Sequence, residues 1–206
     1  LDSTLGPEVK LEGPHFKITA ALGRQEGSNL FHSFSQFDLN KEQSATFLGP
    51  NTVENIIGRV TSNKNSFIDG TLRSEIPNAN LFLINPNGFI FGPNAKLELS
   101  GSLHLSTAAE LRLGDSGNFN ARQPARSILV SAPPSAFGFL DTSPAKISIQ
   151  ESKLATGNGK TLSLIGGEVS INDGLLRAIS GRINLVAITT ADNLKITSSG
   201  LQTDGN

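Results

Sequence analysis

The sequence predicts an all-β protein with the architecture of a parallel β-helix, a solenoid in which short strands wind around one core and stack coil upon coil. Three observations lead to this prediction. No window shows the sustained periodicity of an amphipathic helix. Short segments of alternating apolar and polar residues are separated by Gly, Asn, Pro and Ser. Apolar positions also recur at steps of about 20 to 25 residues, which is typical of stacked repeats.

Alternation identifies the individual strands, because successive side chains of a strand point to opposite faces. It is clearest in residues 96–99, 102–105, 146–150 and 182–185. The best helical candidate is residues 107–113. Gly114 follows this segment at once and no capping pattern precedes it, so we expect a helical turn or two at most.

The repeat step indicates how the strands stack. Four series of aliphatic residues recur at 21 to 25 residues: Ile149, Ile171 and Ile196; Leu154, Leu176 and Leu201; Leu164 and Leu185; Leu83 and Leu105. A single coil of a solenoid cannot bury its inward side chains alone. We therefore expect the members of each series to lie above one another in the core.

We expect one domain over residues 1–206, in which about 1–47 form an N-terminal cap and 48–206 form the coils. The cap is needed because an uncovered first coil would offer unpaired strand edges. Five Phe fall in this segment and are expected to plug the end of the core: Phe16, Phe31, Phe34, Phe37 and Phe47. Residues 62–78 and 114–145 interrupt the repeat and are expected to be insertions or hairpins lying against the helix.

The composition excludes several classes of function. Lys and Arg number 17 against 18 Asp and Glu, so the net charge is −1 and there is no bulk positive charge to attract nucleic acid. The longest apolar runs, such as residues 81–84, are too short to cross a membrane as a helix. There is no Cys, hence no disulfide and no thiolate zinc site. Met is also absent, which fits either a signal peptide removed after use by the general secretion machinery or a shortened chain.

No constellation of catalytic or metal-binding residues stands out, so we predict neither an enzyme nor a cofactor. The three His are isolated along the chain, and the alternation around His104 predicts that this side chain faces outward. Asp69, Asp173 and Asp204 each precede Gly, which is typical of turns. Two alternatives stay open, a carbohydrate-active β-helix enzyme and an adhesive surface segment that binds glycans. The absence of Trp and Tyr weakens the first.

The most distinctive segment is Asn85-Pro86-Asn87-Gly88-Phe89, which lies between two apolar stretches. Pro86 fixes its own φ and favours an extended Asn85, while Asn87 and Gly88 tolerate positive φ. The sequence therefore predicts a tight turn between two strands. The Asn85 side chain is expected to accept a hydrogen bond from the backbone N–H two residues further on.

This segment resembles the Asn-Pro-Asn-Gly-Ile signature of the two-partner-secretion (TPS) domain, the haemagglutination activity region of filamentous-haemagglutinin-like exoproteins. Further blocks resemble the family in order: residues 27–34 with Asn29, Phe31, His32 and Phe34, then 55–61, 66–72, 91–95 and 101–108. The resemblance is strong over about residues 25–110, and the residues of these blocks are most similar to those of cyanobacterial members. Phe89 stands where Ile is usual. The family's Asn-Pro-Asn-Leu motif has no clean copy, and its nearest counterpart contains Pro50 and Asn51.

The resemblance implies a right-handed parallel β-helix with an N-terminal cap, at the start of a longer exoprotein. It implies delivery to the periplasm of a Gram-negative-type bacterium and recognition there by the POTRA domains of a TpsB-type outer-membrane transporter. Folding of the β-helix outside the cell would follow, giving a secreted or cell-surface product. We expect a monomer. Whether the turn at residues 85–88 contacts the transporter or only stabilises a coil stays open.

Overall fold

The computed structural model describes residues 1–203 and is built almost entirely of strands. In chain order these are β1 His15–Thr19, β2 Arg24–Glu26, β3 Asn29–Phe34, β4 Ser44–Leu48, β5 Asn55–Val60, β6 Ser66–Ile68, β7 Thr71–Ser74, β8 Asn80–Ile84, β9 Phe89–Phe91, β10 Lys96–Glu98, β11 Leu103–Ser106, β12 Glu110–Leu113, β13 Gly117–Asn120, β14 Pro134–Phe139, β15 Lys146–Gln150, β16 Lys153–Thr156, β17 Thr161–Gly166, β18 Glu168–Asn172, β19 Leu175–Ala178, β20 Arg182–Ala187, β21 Asp192–Thr197 and β22 Gly200–Thr203. Short 3₁₀ turns lie at Ala20–Leu22 and Pro124–Arg126. Within residues 1–203 no helix has the length and apolar character needed to cross a bilayer.

The chain winds repeatedly through three parallel faces, which confirms the β-helix. Sheet A contains β1, β4, β7 and β10, and β16 and β19 form a separate parallel pair that is in contact with β10. Sheet B runs β2, β3, β5, β8, β11, β17 and β20, and sheet C runs β6, β9, β15 and β18. Apart from the antiparallel β2, neighbouring strands in these sheets are parallel.

The predicted stacking of aliphatic side chains is confirmed for four of the pairs. Leu83 pairs with Leu105, Ile149 with Ile171, Leu154 with Leu176, and Leu164 with Leu185. The inward-facing side chains of the three sheets form one continuous core. Because a parallel ladder keeps equivalent residues side by side, the step between them in sequence equals the length of one coil.

Ile196 and Leu201 are not further members of these series, so that part of the prediction is wrong. Both lie in the hairpin of β21 and β22, where they pair with each other in antiparallel fashion. The step of 25 residues that led to them is a coincidence of spacing. Ile171 is therefore on the last coil and, with no described strand laid over it, remains 38% exposed.

Residues 62–78 are not an insertion, which corrects a second expectation. They supply β6 and β7, which take regular places in the stack. Ile68 pairs with Phe91, and Leu72 pairs with Ala45 and Leu97. These strands contain only three and four residues. Such short strands show too few alternations to be recognised in the sequence.

The chain leaves the stack between β11 and β15 and forms an outer sheet. This sheet runs β13, β12, β14, β21 and β22, and its strands are antiparallel. Residues 110–113 are therefore strand β12 rather than helix. The outer sheet packs on the outward face of sheet B through a second apolar cluster, which includes Phe82, Phe119 and Phe137. Strands β3, β5 and β8 of sheet B are consequently buried on both faces.

Aromatic residues line the N-terminal end of the core. Phe34, Phe37 and Phe47 pack together there, with ring centroids 4.9 to 6.5 Å apart, and Phe16 packs against the same cluster. Phe31 belongs elsewhere, because it lies on the outward face of β3 and contacts Phe119 of the outer sheet at 5.1 Å. Four of the five expected Phe thus lie at this end of the core.

Candidate functional site

The segment from Asn85 to Phe89 forms a tight turn between β8 and β9, as its residues predict. The Gly88 N–H donates to the Asn85 carbonyl at 3.0 Å, and the Asn87 N–H donates to Asn85 Oδ1 at 3.0 Å. Asn85 Nδ2 donates in turn to the Lys64 carbonyl at 3.1 Å and to Ser66 Oγ at 3.0 Å. One buried amide thus closes its own turn and joins it to the previous coil.

The same turn is also joined to the coil that follows and to the long insertion. Gly88 has φ +100°, and a Cβ at this position would lie 2.5 Å from the Lys146 carbonyl oxygen. Only glycine satisfies both the conformation and the close approach. Arg122 donates to Asn87 Oδ1 at 3.0 Å and to the Pro86 carbonyl at 3.3 Å, and its guanidinium pairs with Asp141 at 2.9 Å.

Burial limits what this turn can contact. Asn85, Pro86, Gly88 and Phe89 are buried, and Asn87 alone of the five is partly exposed. Beside Asn87 lies an open polar groove of about 640 Å³ that also involves Lys64, Phe67 and Arg122. Chemically the turn is a structural junction, and the groove is the part of it that a partner can reach.

Asn29, the first of the four residues singled out in the N-terminal block of residues 27–34, belongs to a ladder of asparagines. Asn29, Asn55 and Asn80 occupy the same register position of β3, β5 and β8. Asn55 Nδ2 donates to Asn29 Oδ1 at 3.0 Å, and Asn80 Nδ2 donates to Asn55 Oδ1 at 3.4 Å. At its end, Asn29 Nδ2 donates to the carbonyls of Val130 and Ala132 at 3.0 and 2.7 Å. The ladder therefore holds the insertion against the first coils.

Arg59 is a buried junction that the sequence analysis missed. Its side chain is 1% exposed and lies over the Phe119 ring at 4.1 Å. It donates to the hydroxyls of Ser33, Thr4 and Ser127 at 2.6 to 2.8 Å and to the Asn120 carbonyl at 2.7 Å. Burial lowers the pKa of Arg59 to about 10, partly offset by Asp2, so the guanidinium stays charged at neutral pH. An arginine amid apolar strand residues carries no local signal of this role.

Asp2 supplies the carboxylate of the same network. Its oxygens accept from Ser33 Oγ at 2.8 Å, from Thr61 Oγ1 at 2.6 Å, and from the N–H and hydroxyl of Thr4 at 2.9 and 2.6 Å. Burial alone would raise the pKa of Asp2, but these hydrogen bonds outweigh it and lower the pKa. Residues 2–4, the second coil and the insertion thereby share one polar cluster.

His32 and Phe34, the remaining members of the block, point into the core from β3. The His32 ring lies 5.6 Å from the Phe47 ring and 6.2 Å from that of Phe34. Within the described residues neither ring nitrogen makes a hydrogen bond of normal geometry, although the backbone of Leu22 is near enough to favour the charged form. Burial dominates and lowers the pKa of His32 to about 4. The imidazole is therefore neutral at physiological pH.

His104 faces out of the helix, as predicted, but its neighbours in sheet B cover part of the ring. Its ring stacks on Phe82 at 4.5 Å, and Nδ1 lies 3.0 Å from Ser163 Oγ. The residue is half-buried by solvent exposure, and burial of the ring lowers its pKa to about 4. Among the described residues, His, Asp and Glu side chains nowhere gather in threes to bind a metal.

The other candidate positions lie in turns. Pro50 and Asn51 are exposed between β4 and β5, where the Val53 N–H donates to the Pro50 carbonyl at 3.1 Å. Asp69 caps a corner by accepting from the backbone and side-chain nitrogens of Asn94 at 2.8 and 3.0 Å. Asp173 adopts φ +52° beside Gly174. Asp204 lies outside the described residues.

Comparison with known proteins accounts for the ordered blocks and for the coils. The family model of the TPS secretion domain matches residues 1–205, which is essentially the whole chain. No curated protein matches the chain. The match extends well past residue 110, where the resemblance in sequence becomes weak, and it includes the insertion and the last coil. The chain therefore belongs to the TPS secretion domain family and is a secretion domain of a secreted two-partner-secretion exoprotein.

Proposed function

We propose that this domain is recognised in the periplasm by the POTRA domains of a TpsB-type outer-membrane transporter and then seeds β-helix folding outside the cell. A signal peptide and the general secretion machinery bring the exoprotein to the periplasm. Family membership supports the choice of partner. The exposed last coil supports the seeding, and it is the observation that carries the proposal.

The last coil, formed by β18, β19 and β20, offers both a core and strand edges. Each of these strands is paired on one side only among the described strands. Ile171, Ile183 and Leu185 point inward yet are 38, 40 and 49% exposed, whereas their counterparts one coil earlier are fully buried. A further coil laid on this end would bury these side chains and form a new set of main-chain hydrogen bonds.

The absence of Cys suits the proposed route. The periplasm is oxidising, and a disulfide formed there would prevent the chain from unfolding during passage through a pore. Stepwise addition of coils outside the cell would then favour outward movement, since each coil adds its own interface energy.

Leu185→Lys tests the seeding in the full exoprotein produced with its transporter. Leu185 and Leu175 are both Leu and 49 and 55% exposed, but Leu185 points into the core, whereas Leu175 pairs with exposed Lys153 and points outward. We expect slower surface delivery of folded, protease-resistant exoprotein for Leu185→Lys and unchanged delivery for Leu175→Lys. Equal delivery of the two variants would contradict seeding by the last coil.

The choice of partner is tested by omitting the transporter. Exoprotein made without it is expected to accumulate in the periplasm and to be degraded there. Surface delivery that continues in its absence would disprove the proposed route.

A further inference from the structure

Among the described residues, one strand edge of five residues is left unpaired at the N-terminal end of the stack. Sheet B ends in β2, a three-residue antiparallel strand whose Arg24 and Glu26 form an exposed ion pair at 2.8 Å, and sheet C ends in a single bridge between Leu39 and Ile68. Sheet A ends in β1, which pairs with β4 over five residues and has no described strand on its other side. Charged short strands discourage pairing, whereas an open edge invites it.

The register shows which backbone groups are free on β1. The Ser44 N–H donates to the Pro14 carbonyl at 3.0 Å, which fixes the side of β1 that faces β4. In a parallel ladder, alternate residues direct both their N–H and C=O to the same neighbour. Phe16 and Ile18 thus bond to β4, and His15 and Lys17 direct their backbone groups to the open edge.

A cavity of mixed polar and apolar character adjoins the inner side of this strand. It has a volume of about 470 Å³, its apolar lining includes Phe16, Ile18 and Phe34, and the charged residues Glu8, Lys10 and Asp38 also line it. Phe16 and Ile18 are the inward-facing residues of β1, so the cavity is an unfilled part of the first coil. The inward side chains of a strand added to β1 would enter it.

The outward side chains of β1 define the other half of the recognition. His15 and Lys17 are both exposed on this face. Residues directly opposite each other on neighbouring strands interact, and opposite charges stabilise the pair. An acidic residue opposite Lys17, flanked by apolar residues that point inward, therefore complements this edge.

We propose that the open edge of β1 is the docking strand for the transporter, whose periplasmic domain adds an extended segment of apolar–acidic–apolar pattern to sheet A. This inference rests on the proposed function. Main-chain hydrogen bonds hold the segment, the cavity takes its apolar side chains, and Lys17 selects its charge.

Lys17→Pro tests the docking strand, with Lys17→Ala as its matched control. Proline removes an N–H that the domain itself does not use, and an edge strand tolerates it there. The probe is the purified periplasmic domain of the cognate transporter, titrated with the wild-type domain and each variant. We expect Lys17→Pro to bind about tenfold more weakly or worse, and Lys17→Ala to lose less than about fivefold. Circular dichroism and the unfolding midpoint show that both variants fold.

Amide exchange provides a second readout, independent of affinity. In the free domain the Lys17 amide is expected to exchange faster than those of Phe16 and Ile18. The complex should protect Lys17 and leave its two neighbours unchanged, because only Lys17 faces the added strand.

Three outcomes overturn the proposal. Equal binding by the wild type and Lys17→Pro would disprove docking at β1 without contradicting recognition by the transporter. Failure of the wild-type domain to bind would disprove both the proposed recognition by the transporter and docking at β1. A free domain that sediments as a dimer, and that Lys17→Pro converts to a monomer, would show that a second copy occupies this edge.

Discussion

Replacing His32 with Leu is expected to remove a pH dependence of folding that originates in the core. His32 is fully buried beside Phe34 and Phe47, and its ring also lies against the backbone at Gly23, where a Cβ would approach Nδ1 to 2.8 Å. Burial and the backbone of Leu22 are the influences on its pKa, and no charged side chain contributes. A proton on this imidazole would have no counter-charge among the described side chains.

The magnitude follows from the pKa of His32, which is about 4 in the folded domain against about 6.5 in an unfolded chain. Between these values the unfolded chain binds a proton that the folded domain does not. The free energy of unfolding therefore falls as the pH falls from 6.5 to 4 and is independent of this group outside that window. The full loss is about 3 kcal/mol, of which about 2 kcal/mol has occurred by pH 5.

The assay is urea unfolding of the wild type and His32→Leu from pH 8 to pH 5. At pH 8 the free energies of unfolding of the two proteins should agree within about 1.5 kcal/mol, since Leu suits an apolar site of similar volume. At pH 5 the variant should have gained about 2 kcal/mol relative to the wild type. Parallel curves for the wild type and His32→Leu would refute the reasoning.

Two further substitutions test the junctions of the fold by urea unfolding. Gly88→Ala is expected to lower the free energy of unfolding by about 3 kcal/mol, because it combines positive φ with a backbone clash. Gly159→Ala, at φ +72° with open space around it, should lower it by about 1 kcal/mol. Equal losses would contradict the clash. Arg59→Ala should lower the free energy of unfolding by about 3 to 5 kcal/mol, because it leaves buried polar groups without a donor. Amide exchange should rise first in β12–β14. A uniform rise across the domain would contradict the role of Arg59 in holding the insertion.

The parallel stack could be predicted because its core repeats the same chemistry at the same register. Leu83 and Leu105 reveal it, since aliphatic residues one coil apart must face the same core. The spacing carries no information about strand direction, however. Ile196 matched the step equally well, yet it lies in an antiparallel hairpin.

The outer sheet has a counterpart in the sequence. Ile57 and Phe82 stand beside the inward-facing Ile56 and Leu81, so apolar residues occupy both faces of β5 and β8. Consecutive apolar residues in a strand indicate burial on both sides. They could have placed the outer sheet over sheet B, though not its strand order. Nothing local in the sequence reveals Arg59, because its partners come from residues 4, 33, 120 and 127.

The burial of the turn at residues 85–88 predicts how its substitutions affect export. Asn85→Ala removes two donated and two accepted hydrogen bonds from a residue that is fully buried, and the expected cost is about 2 to 4 kcal/mol. A transporter cannot touch this side chain in the folded domain.

If the turn acts only through folding, Asn85→Ala should impair export as much as an equally destabilising substitution elsewhere, such as Arg59→Ala. Export is measured as surface exoprotein and plotted against the free energy of unfolding of each variant. An amount of surface exoprotein for Asn85→Ala that lies well below that common line would mean that the transporter contacts the segment before it folds, since only an unfolded chain exposes it.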